Sequence, residues 1–113
     1  MGADQIGAQC LDRINNPENE VFVSAASIWE IEIKKVNGKL TAPDNIAEIS
    51  EDCGIDHLNI TIQHAEIAGR LPLNHKDPFD RMLIAQAQVE NLTLVTDDKK
   101  IPTYAIKTIS SQD

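Results

Sequence analysis

The sequence predicts an α/β fold with a mainly parallel sheet, because short β-branched runs alternate with longer segments of helical periodicity. The clearest strand segments are "VFVSA" (21–25) and "LTLVT" (92–96), and the clearest helix start is Asp77-Pro78 ahead of "FDRMLIAQA". A length of 113 residues is enough for one core and little more, so residues 1–113 are expected to form a single small domain.

In chain order, Ile6, Cys10 and Ile14 recur at helical spacing over residues 3–15, and "NNPEN" ends that helix. The run 21–25 is a buried strand. The segment "SIWEIEIKKVNGKL" turns helical, with Trp29, Ile33, Val36 and Leu40 on one stripe expected to face the core and Gly38 as its cap. "TAPDNIAEISEDCG" is a short helix opened near Pro43 and closed at Gly54, and "IDHLNI" (55–60) is a strand. "TIQHAEIAG" (61–69) is a helix capped by Thr61 and stopped by Gly69. Asp77 is an N-cap and Pro78 sits in the favoured first turn of a helix that runs to about Glu90. The run 92–96 is a buried strand, and "YAIKTI" (104–109) is a last, exposed strand.

Composition narrows the function classes. A net charge of −8 opposes general affinity for nucleic acid and suits a protein that binds cations or a basic partner. Aromatic residues make up only 4%, so base-stacking platforms are not expected. No run approaches the roughly 18 apolar residues of a membrane span, and "MGADQIGAQC" is too polar for a signal peptide. Cys10 and Cys53 lack metal-ligand spacing, which points to reduced thiols and a cytoplasmic chain.

In a parallel α/β sheet, ligands sit beyond the carboxyl ends of the strands. Glu30 falls in the first turn of the helix leaving strand 21–25, and Asp97 and Asp98 follow strand 92–96. Asp80 starts a helix whose N-terminus returns to that edge, so three acids from three segments are expected to converge. Clustered carboxylates repel unless a cation occupies them. Oxygen-only ligands suit Mg²⁺ or Mn²⁺, which activate water against phosphodiesters. Each acid also has a structural reading. Ser27-x-x-Glu30 fits a capping box, Glu30 can pair with Lys34, Asp80 suits the helix dipole, and Asp98 can start a turn or meet a lysine.

The segments "VSAASIWEIEIKKVNGKL" and "LPLNHKDPFDRMLIAQAQVENLTLVTDDKKI", with Tyr104 following, resemble the PIN domain over residues 17–109. In particular they are similar to the VapC-like ribonucleases of bacterial toxin–antitoxin pairs. The resemblance implies a PIN-like α/β/α sandwich that cleaves RNA with Mg²⁺ or Mn²⁺. The glutamate of "S-x-W-E-I" falls on Glu30, the acid opening "DRMLIAQA" on Asp80, and the acid of "T-x-D" on Asp98. Thr96, Asp77 and Asp97 are then supporting groups. Lys34, Lys35, Lys39, Arg81, Lys99 and Lys100 flank these segments, either as a cationic rim for RNA phosphates or as solvated helix faces. His75 is a loop residue, and His57 and His64 have no ligand spacing.

Such proteins open with a strand of the type "LLDTHxLLW", whose aspartate is their first metal ligand. This sequence has no counterpart, and Asp4 follows no strand, so the domain is expected to be N-terminally truncated. That strand lies between the counterparts of 21–25 and 92–96. Its loss exposes backbone groups that cost on the order of 1–3 kcal/mol each when buried unpaired. Direct pairing of those strands, a second subunit, or a strand encoded upstream would repair it. A homodimer is the favoured expectation, with RNA and a cognate antitoxin as partners. A catalytically inactive remnant serving as an interaction or dimerisation module is the alternative.

Overall fold

The computed structural model describes residues 16, 18–73, 76–95, 104 and 106–109. Two compact units divide the chain, one of Glu20–Ile60 and one of Met1–Asn19 with Thr61–Asp113. Four helices and four short strands are described, and both strand pairings are parallel, as the alternation of strands and helices predicts. The helix expected over residues 3–15 lies outside the described residues. No helix among the described residues is long and apolar enough to cross a membrane.

The unit Glu20–Ile60 runs β1 (Phe22–Ser24), α1 (Ala25–Val36), α2 (Ile46–Asp52) and β2 (Asp56–Leu58). β1 pairs with β2 in the register Phe22–Asp56, Val23–His57 and Ser24–Leu58. Helix α1 begins directly off the strand because Ser24 Oγ accepts the N–H of Ala26 at 3.0 Å. This corrects two expectations. The Ser27–Glu30 capping box is not what starts the helix, and Glu30 lies beyond its first turn, which holds no acid. The end of α1 follows the predicted pattern. Gly38 takes φ 71°, and the N–H groups of Gly38 and Lys39 return to the carbonyls of Lys35 and Lys34 at 3.1 and 2.9 Å, the Schellman arrangement. Gly54, at φ 80°, closes α2 in the same way, with Gly54 and Ile55 donating to Glu51 and Ser50.

The apolar stripe of α1 is not core. Trp29 is 62% exposed and Val36 85%, while the buried residue of the helix is Ala26. Length explains it. A helix of 12 residues is about 18 Å long, whereas strands of three residues each span only about 10 Å. The two-stranded sheet is too short to cover the helix.

The other unit carries α3 (Ile62–Arg70), α4 (Pro78–Glu90), β3 (Thr93–Val95) and β4 (Lys107–Ile109), with β3 and β4 paired in the register Thr93–Lys107, Leu94–Thr108 and Val95–Ile109. Its core is Leu71, Ile84 and Tyr104, packed by Ile67, Leu94 and Ile106. The last strand is therefore not simply exposed: Ile109 is buried beside exposed Lys107. Helix α3 passes through Gly69 and ends at Arg70. Pro72 is the better reason, since the residue before a proline is pushed out of helical geometry, and Leu71 is extended at φ −61°, ψ 148°. Helix α4 ends on Asn91, whose left-handed φ of 54° suits an asparagine.

Candidate metal centre

The start of α4 is built from its sequence as predicted. Asp77 is extended, and its Oδ1 accepts the N–H of Phe79 at 2.9 Å and of Asp80 at 3.2 Å, with Pro78 in the first turn. That oxygen satisfies two of the N–H groups a helix start leaves without partners. Asp77 is thus a cap. Asp80 lies half-buried in the first turn of α4, where the positive end of the helix dipole favours its carboxylate.

Arg81 holds the same turn from the other side. Its Nη2 donates to the carbonyls of Ala68 and Leu71 at 2.8 and 2.9 Å, and its Nη1 to that of Pro72 at 3.1 Å. These are the carbonyls left open where α3 ends, so the guanidinium caps one helix from the first turn of the next. Tyr104 Oη donates to the Pro72 carbonyl at 2.6 Å. Arg81, expected on a cationic rim, also carries this capping task, for which the sequence offers no local signal.

Glu30 belongs to the Glu20–Ile60 unit. Its side chain is 28% exposed, and its carboxylate lies 3.5 Å from Lys34 Nζ at i+4, the pairing its position predicts. Lys35 is tied down locally. Its Nζ meets Asp44 Oδ1 at 3.0 Å, the Pro43 carbonyl at 3.1 Å and Glu32 Oε1 at 3.4 Å. The hydrogen bond to Asp44, aided by the charges of Asp44 and Glu32, raises the lysine pKa above its usual 10.5 against the opposing effect of desolvation. In the same unit His57 Nε2 contacts Ser50 Oγ at 3.1 Å and the Ala47 carbonyl at 3.2 Å, tying α2 to β2.

Thr96, Asp97, Asp98, Lys99 and Lys100 lie outside the described residues, as does His75. Among the described residues no group of three His, Cys, Asp or Glu side chains stands ready to hold a metal ion. The described acids therefore do not by themselves make a complete donor set, and no reaction step is routed through a metal on their geometry. Cys53 is a free, exposed thiol.

The sequence matches the PIN domain family over residues 3–107, a span that includes all three candidate acids. No curated protein matches the chain.

Proposed function

Because this chain belongs to the PIN domain family, a superfamily of nucleases, we propose that it is a metal-dependent endoribonuclease of the toxin–antitoxin type. Asp80 is the carboxylate best supported for metal binding, with Glu30 and Asp98 completing the oxygen set. Bound Mg²⁺ or Mn²⁺ would supply an activated water and charge stabilisation at the phosphate. The observation that carries this reading is the family match together with Asp80, held in the first turn of α4 by the Asp77 cap. Thr96 and Asp97 support the strand-end acid, and Lys34, Lys99 and Lys100 guide the RNA backbone. The chain works in the cytoplasm as one catalytic domain, paired as a homodimer and restrained by an antitoxin protein.

A second reading, an inactive interaction module, draws on the exposed Trp29 and Val36 of α1. Melting the full chain with and without millimolar Mn²⁺, beside Asp80→Asn, separates the two. A metal-dependent rise in Tm that the variant lacks, with Mn²⁺-dependent cutting of RNA by the parent alone, supports the nuclease. Identical melting of both proteins in either buffer, with no RNA cleavage, supports the module.

A further inference from the structure

His64 is 0% exposed and lies outside the candidate metal centre. It occupies the third position of α3 and forms a capping box with Thr61. The His64 N–H donates to Thr61 Oγ1 at 3.1 Å, and the Thr61 N–H donates to His64 Nδ1 at 3.0 Å. A backbone N–H only donates, so Nδ1 carries no proton and the ring is the Nε2–H tautomer. Nε2 then donates to Glu90 Oε1 on α4 at 3.2 Å. The side-chain nitrogen of Gln86, also on α4, lies 3.5 Å from Nδ1.

Glutamate or glutamine usually fills this position of a capping box, and both remain acceptors at neutral and mildly acidic pH. Histidine changes charge between about pH 8 and 5. We propose that His64 is a pH-operated latch on the start of α3. The neutral ring holds the Thr61 N–H; a proton on Nδ1 sets donor against donor and releases it. One partner of the second state is already in place. Glu90, the charged group facing the ring from α4, keeps its bond to Nε2–H and balances the imidazolium. Gln86, the other α4 side chain at the ring, is uncharged. No charged group of α3 is bonded to the ring among the described contacts. Thr61 is the residue at which the chain leaves Glu20–Ile60 and enters this unit, so the latch acts on the backbone at that junction.

The test is NMR of the full chain between about pH 8 and 5. Imidazole ¹H–¹⁵N correlations report the tautomer and charge of His64. Amide exchange at Thr61 is taken relative to buried Ala85 in the same sample, which removes the intrinsic pH dependence. The expected result is the Nε2–H tautomer at the high end, then ring protonation with a fall in relative Thr61 protection of about tenfold. His64→Gln, which keeps an acceptor that does not titrate there, holds Thr61 protection level across the range. A Nδ1–H tautomer at high pH, a ring that stays neutral at the low end, protonation without loss at Thr61, or the same loss in His64→Gln overturns the latch.

Discussion

Tyr104 and Arg81 meet on a single atom: both donate to the Pro72 carbonyl, at 2.6 and 3.1 Å. A carbonyl oxygen has two lone pairs, and here one receives a phenol from the segment before β4 and the other a guanidinium from α4. The turn that delivers Asp80 is thereby fixed to two elements of its unit.

Arg81→Ala should destabilise the protein by on the order of 2–3 kcal/mol, since charge-assisted bonds are lost and helix-end carbonyls are left open. Arg81→Lys should recover only part of this, because an ammonium lacks the planar fork that reaches Ala68, Leu71 and Pro72 together. Urea unfolding midpoints of the two variants check it. Equal midpoints for Arg81→Ala and the parent would remove the capping role.

Asp77→Ala should cost about 1 kcal/mol through loss of the cap on Phe79 and Asp80, while Asp77→Ser should cost less than half of that. The same unfolding assay reads both. If the serine variant is as unstable as the alanine one, the role of Asp77 extends beyond capping.

Lys35 sets a pH-dependent contribution in the other unit. Its pKa is raised in the fold, so the folded state holds the proton more tightly than the unfolded chain. The stabilisation is full below the unfolded value of 10.5 and is lost as pH rises through the higher folded value. The stability difference between the parent and Lys35→Met should therefore stay constant from neutral pH into the mildly alkaline range, then shrink at the alkaline end. A difference that grows with pH would contradict the assignment.

Ile84→Ala, at 0% exposure in the core with Leu71 and Tyr104, should cost about 2–5 kcal/mol. Trp29→Ala removes a larger side chain at 62% exposure and should cost roughly 1 kcal/mol or less. Thermal melts of the pair test the corrected placement of Trp29, and a larger loss at Trp29 would return it to the core.

Local chemistry was legible from the chain alone wherever one residue acts on its near neighbours. Thr61 and Asp77 cap their helices, Gly38 and Gly54 take the left-handed positions that close theirs, and Glu30 pairs with Lys34 one turn on. The strands fall within the predicted segments and pair in parallel, although β2 (Asp56–Leu58) holds no β-branched residue and β3 is more exposed than a buried run implies. These features depend on side-chain reach and backbone preference over a few residues, which sequence spacing specifies. Tertiary structure decided the rest. Periodicity marks an apolar face but not what covers it, so the exposure of Trp29 follows only from the short strands of its unit. Arg81 resembled a free cation in sequence because the carbonyls it binds come from the preceding helix and turn. His64 had no ligand spacing, and it acquired meaning only when α4 brought Gln86 and Glu90 to its ring, a proximity across more than twenty residues. Such contacts follow from how helices pack, and no local pattern in the chain encodes them.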